Sequence, residues 1–173
     1  MLGQLRVASF SRCLSNVRLE EVKMYVCRVT ELSTQGAKVV LQGAIEKAEQ
    51  MGVPQCVAIV DKGGNLLVFE RMQGAKILSQ FSAIQKAVTA VSSQSATGQL
   101  PSELAFGIAL ATGSRFAAIA GGLPIEINGD VIGAIGVGSG NDEEDIEVAE
   151  AGIAALKAVI RAEQNVEGNA LNH

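Results

Sequence analysis

The chain lacks tryptophan, has six aromatic residues in 173, a single histidine and three prolines, and carries no dense stripe of lysine or arginine. Each shortage excludes something. Nucleic-acid surfaces need clustered cations and exposed stacking rings, and a chain of net charge −4 with so few aromatics supplies neither. The one histidine, His173, is the last residue, which removes Ser-His-Asp and Cys-His catalysis and His-rich metal sites built from one chain, unless the tail itself is recruited. No metal site is expected. Cys13, Cys27 and Cys56 form an odd set with no C-x-x-C, so neither a zinc knuckle nor a secreted disulfide framework is indicated, and a reducing, cytoplasmic compartment is expected. Cys56 opens an apolar run and reads as a small buried hydrophobe. No run approaches the roughly 18 apolar residues that cross a bilayer, so no membrane partner is expected.

Residues 1–23 carry Arg6, Arg12 and Arg18 and no acid before Glu20, which is the composition of an organellar transit peptide and equally of an extension ahead of an alternative start at Met24. We read 1–29 as an extension the fold can dispense with, 30–163 as one domain and 164–173 as a flexible tail.

What is present is 48% hydrophobic, and glycine and alanine together make up about a quarter of the chain, so the core is filled by small side chains brought close together. Ala37, Val40, Leu41, Ala44, Ile45 and Ala48 recur at helical spacing, with Ser33 or Thr34 as cap and Gly52-Val53-Pro54 as stop. Cys56–Val60 and Leu66–Phe69 flank Asp61-Lys62-Gly63-Gly64-Asn65, which predicts a hairpin. Ile77, Phe81, Ile84, Val88 and Val91 fall on one stripe, predicting a second helix over 77–93 with that stripe buried. Pro101 opens a third, shorter helix through Leu104, Ile108 and Ala111 that Gly113 ends. Phe116–Ala120, Leu123–Ile127 and Val131–Val137 read as strands, the last two joined at Asn128-Gly129. Ile146, Ala149, Ile153, Leu156 and Ile160 predict a terminal helix, capped by Asn141 or Asp142. The order is helix, two strands, two helices, three strands, helix, which makes an α+β (α/β) domain: a central, mainly antiparallel, five-stranded sheet covered by helices.

Few chemical motifs survive inspection. Gly133–Gly140 runs from a strand into a helix, where backbone amides can cradle an anion, but Asn141 stands where G-x-G-x-x-G needs glycine. Asp142, Glu143, Glu144 and Asp145 then crowd the first turn and repel a phosphate, so this is read as a structural turn, with a neutral or cationic ligand or a carboxylate-held metal as alternatives. Asp61 reads as a turn residue before it reads as an exposed carboxylate. Lys86, between Ile84 and Val88, lies near the edge of the second helix's buried face, where its ammonium contacts a ligand, a carboxylate or solvent.

The motifs Ala58-Ile59-Val60-Asp61-Lys62-Gly63-Gly64-Asn65-Leu66-Leu67, Arg71-Met72-Gln73-Gly74-Ala75, Lys86-Ala87-Val88-Thr89-Ala90, Gly121-Gly122-Leu123-Pro124-Ile125 and Ile132-Gly133-Ala134-Ile135-Gly136-Val137 together resemble the GlcG/HbpS family, also called the haem-degrading or DUF336 family. The resemblance runs from about Thr30 to about Ile160. It implies a profilin-like fold and compact homo-oligomers. It also implies a ligand, since some relatives bind haem or free iron and others form the C-terminal domain of PduO-type corrinoid adenosyltransferases, whose catalytic domain is not expected within these 173 residues. Where relatives offer a histidine on an early helix, this chain has none, so an axial ligand to haem iron would be Thr, Tyr25, Met, Cys or a carboxylate.

Three readings follow. The first is a non-catalytic, oligomeric binder of haem or a related tetrapyrrole or corrinoid, accessory to small-metabolite utilisation. Its groove lies by the second helix and a subunit interface, with Thr89, Gly121 and Gly122 at the ligand and Arg71 and Lys86 on its carboxylates. The second is an enzyme acting on a small oxygenated metabolite through Lys86, Asp61 or Glu70. The third is an assembly protein without a ligand, whose Gly/Ala-rich faces serve subunit packing.

Overall fold

The computed structural model describes Tyr25 and residues 27–170, so the arginine-containing leader and Met24 lie outside the described residues. Chain order is α1 (Thr34–Met51), β1 (Cys56–Asp61), β2 (Leu66–Arg71), α2 (Ser79–Ser93), α3 (Ser102–Ala111), β3 (Gly122–Ile127), β4 (Asp130–Gly138) and α4 (Asp142–Ala170). The strands form one antiparallel sheet in the order β2-β1-β4-β3.

Helix starts and stops follow local chemistry. The Ser33 hydroxyl accepts the Gly36 N–H at 3.1 Å, and Gly52 closes α1 in the left-handed region at φ 68°. In the first hairpin the Asp61 carboxylate accepts the Asn65 N–H at 2.8 Å and its side-chain amide at 2.9 Å, which fixes the loop. At the head of α4, Asn141 and Glu144 cap each other: the Glu144 carboxylate accepts the Asn141 N–H at 2.8 Å, and the Asn141 side chain accepts the Glu144 N–H at 2.9 Å. α4 continues to Ala170.

The sheet separates two unlike layers. Val57 and Ile59 of β1, with Ile135 and Val137 of β4, face α1 and α4 and pack on Val40, Ile45, Val148 and Leu156. Cys56, Ala58 and Ala134 face α2 and meet Ala83, Ala87 and Ala90. This second layer is thin. A Cβ at Gly136 would run into the Ala83 carbonyl and the Ala87 N–H, so the α2 backbone lies directly on a side-chain-free patch of sheet.

Two expectations are corrected here. The sheet has four strands where five were expected: Phe116–Ala120 is not a strand, because the Ala117 N–H is taken by the Thr89 hydroxyl at 2.8 Å and the segment follows α2. Helix α2 begins at Ser79, and its buried face is Ala83, Lys86, Ala87, Thr89, Ala90 and Val91. Phe81 from the expected apolar stripe is 58% exposed and Ile77, ahead of the helix, 71%. Close approach to the sheet selects small residues at the contact, while Val91 stays buried, Ile84 and Val88 pack at its margin, and Phe81 is turned outward.

Candidate functional site

Lys86 is 2% exposed. Its ammonium donates to the Val137 carbonyl of β4 and to Asp145 Oδ2 of α4, each at 2.7 Å, so one side chain of α2 ties together the sheet and the head of α4. Of the contacts open to it, the structure shows an internal carboxylate. Burial pushes the Asp145 carboxyl above its ordinary value, while the Lys86 ammonium and the Gly140 N–H, 2.9 Å from Oδ1, pull it back. The Gly140 N–H also reaches Gln55 Oε1 at 3.0 Å. The chain's own carboxylates and amide therefore occupy the backbone donors of the glycine-rich turn, and an incoming anion finds them taken.

Gly121 and Gly122 belong to the same cluster. A Cβ at Gly121, where φ is +106°, would lie 2.8 Å from the Val137 carbonyl and 2.9 Å from Lys86 Nζ, so only glycine lets the ion pair close. Gly122 exchanges hydrogen bonds with Thr97: its N–H donates to Thr97 Oγ1 and the Thr97 N–H returns to its carbonyl, both at 2.9 Å. Thr89 and Thr97, both buried, then line a pocket of about 120 Å³ with Ser93, Ser95, Leu100 and Phe116. Four of the five residues expected at a ligand, Lys86, Thr89, Gly121 and Gly122, are thus neighbours. Arg71 is apart from them, exposed on β2, the edge strand opposite β3, roughly 10–14 Å away by two to three strand spacings. Its guanidinium donates to the Ala75 carbonyl at 3.2 Å.

The remaining candidates are placed as follows. Asp61 is engaged by its own hairpin: desolvation is the largest single influence and raises its pKa, but the hydrogen bonds from Asn65 and the Gly63 and Gly64 amides together outweigh it and lower the pKa. Glu70 is exposed at the end of β2. Cys56 is fully buried; burial raises its thiol pKa against the pull of Arg71, which leaves it unreactive at neutral pH. Among the described residues no three His, Cys, Asp or Glu side chains gather as a metal site, and no helix is long and apolar enough to cross a membrane.

Sequence reasoning missed Asp145 and Thr97. Asp145 is one of four consecutive acids, and only its position on the inner face of α4 distinguishes it. Thr97 precedes Gly98, whose φ of +86° marks a turn, but no spacing rule joins it to Gly122.

Next to the pocket the surface is apolar. α3 buries only Ala105 and leaves Leu104, Phe106 and Leu110 at 53%, 67% and 64% exposure, and Leu100, which lines the pocket, is exposed as well. A pocket of about 120 Å³ is well below the roughly 300–1,000 Å³ of ordinary small-molecule sites.

An antiparallel sheet covered by helices on both faces defines an α+β domain. The chain belongs to the family described as "Haem degrading protein HbpS-like", whose model matches residues 32–154. It is 34% identical over 128 residues to an uncharacterized 15.0 kDa protein of Citrobacter freundii encoded between dhaT and dhaS, covering 71% of this chain and 90% of that one. The crystal structure of protein ORFY of Klebsiella pneumoniae superposes with a TM-score of 0.74 at 29% identity, over 78% of this chain and 96% of the other. That of a PduOC:haem complex superposes with a TM-score of 0.68 at 32% identity, over 73% and 95%.

Proposed function

We propose that the protein is a non-catalytic, oligomeric small-molecule-binding protein whose ligand is haem or a related tetrapyrrole. The observation that carries this reading is the exposed apolar surface of α3, with Phe106 and Leu110 on one side of the helix, and of Leu100 at the rim of the hydroxyl-lined pocket. A flat macrocycle laid on that face buries its apolar surface, at about 25 cal/mol per Å², without entering the small pocket. The haem complex of a 32% identical relative supports the ligand class.

The residues fit the macrocycle better than its iron. The pocket offers the hydroxyls of Thr89, Ser93, Ser95 and Thr97 and no sulfur or imidazole, so apolar burial, with no strong axial ligand, holds the group. Thr89, Gly121 and Gly122 shape the wall. Lys86 is a positioning residue that fixes this wall through Asp145. Arg71, on the opposite edge of the sheet, enters the site from a neighbouring copy and meets a carboxylate there. A second copy resting on α3 also covers the ligand's outer face. The reading places the protein in the cytoplasm, which suits its free Cys27 and buried Cys56.

Titration of the purified protein with haem, followed by absorbance, tests this, with light scattering on the same sample to count subunits. A saturable Soret shift at a fixed haem-to-subunit ratio is the expected result. A flat, unsaturable response from a folded oligomer rejects it.

A further inference from the structure

On the far side of the sheet from α2, the edge strand β3 and helix α4 enclose a groove built from two adjoining hollows of about 370 and 360 Å³ that share Glu126 and Lys157. Its two ends differ in chemistry. One end, at the β3–β4 hairpin, carries Lys157 and Arg161, one helical turn apart on α4, facing Asn128. Among the described residues the ion pairs are Lys47–Glu147 and Lys86–Asp145, and neither Lys157 nor Arg161 belongs to one. The other end is walled by Leu123, Pro124, Ile153 and Ala154, with Glu150 at its limit.

We propose that this groove is a second ligand site, which takes an amphiphilic monocarboxylate of small-molecule size. The carboxylate meets Lys157 and Arg161, where two cations in a protein of net charge −4 form a local positive spot. The apolar body lies over Leu123, Pro124 and Ile153. Glu126, at the junction, and Glu150, at the far end, repel a second negative charge, so the groove accepts one anionic head and refuses two. The site is independent of the haem reading, because it uses the opposite layer of the fold and none of the residues assigned to haem.

Calorimetric titration of the full chain with octanoate, octan-1-ol and suberate, an eight-carbon dicarboxylate, tests it. Octanoate is expected to bind saturably and at least tenfold more tightly than either comparison molecule. Arg161→Met combined with Lys157→Met is expected to weaken octanoate at least tenfold, with the far-UV circular dichroism unchanged. Glu126→Gln is expected to raise suberate affinity while leaving octanoate binding in place, and this gain cannot arise from misfolding. Absent saturation by octanoate, binding untouched by the paired substitution, or suberate binding as well as octanoate would each overturn the proposal.

Discussion

Replacing Lys86 by methionine is the sharpest perturbation available, because it keeps the packing of the stem and deletes only the charge. In the native chain the ammonium is 2.7 Å from Asp145 Oδ2, and the two side chains are 3% and 4% exposed. Without the cation, Asp145 is left as an uncompensated buried charge and the Val137 carbonyl loses a donor. Breaking a buried pair in this way costs about 3–5 kcal/mol, a large part of the roughly 5–15 kcal/mol that stabilises a domain. Removing both charges in Lys86→Met with Asp145→Leu is expected to cost clearly less than the sum of the single changes. The pH dependence has a definite sign. Burial already holds the Asp145 carboxyl above 3.8, and losing the ammonium lifts it further. A carboxyl whose folded pKa is raised contributes stability below its unfolded pKa and loses it as pH rises through the folded value. The defect of Lys86→Met is therefore smallest near pH 4 and grows toward neutrality. Urea denaturation of the four variants at several pH values measures both effects. A single-variant loss below about 1 kcal/mol, additive changes, or a loss that does not vary with pH would refute the reasoning.

Three further outcomes follow from the same structure. Gly136→Ala drives a methyl group into the Ala83 carbonyl and Ala87 N–H and forces α2 off the sheet, so a loss of about 1–3 kcal/mol or more is expected in thermal or urea unfolding. Thr97→Val keeps the shape but leaves the buried Gly122 N–H without its acceptor, at about 1–3 kcal/mol, while Ser95→Ala nearby is expected to be silent. Asp61 has a lowered pKa in the folded state, so its contribution is present above pH 3.8 and is lost as pH falls through the folded value. Asp61→Ala removes that acid-side loss, which a pH series of unfolding midpoints detects.

Much of the fold is legible in the sequence because its punctuation is strong. Ser33 and Gly52 bound α1, Asp61–Asn65 and Asn128-Gly129 make the two hairpins, and the Ile146–Ile160 spacing gives α4. Failures cluster around α2. Hydrophobic periodicity puts Ile77 and Phe81 on its inner face, yet the helix approaches the sheet through Ala83 and Ala87 over Gly136, and a scale that rewards size cannot register close contact between small residues. Phe116–Ala120 has strand composition, but its backbone is claimed by Thr89, a tertiary hydrogen bond across 28 positions that no local pattern encodes. The candidate site was half visible. Lys86, Thr89, Gly121 and Gly122 converge, but which of the four acids at 142–145 receives the Lys86 ammonium depends on the angle at which α4 leaves β4.

The proposed ligand lies on the α3 side of the molecule, over Phe106, Leu110 and Leu100. Two-dimensional NMR of the labelled protein titrated with zinc protoporphyrin, a diamagnetic haem analogue, reports its position directly. Saturable shifts confined to α3, the 94–100 loop and residues 116–119 are expected, and they should be abolished by Phe106→Ser with Leu110→Ser. Shifts centred on the groove of Lys157 and Arg161, or no saturable shifts at all, would contradict the account.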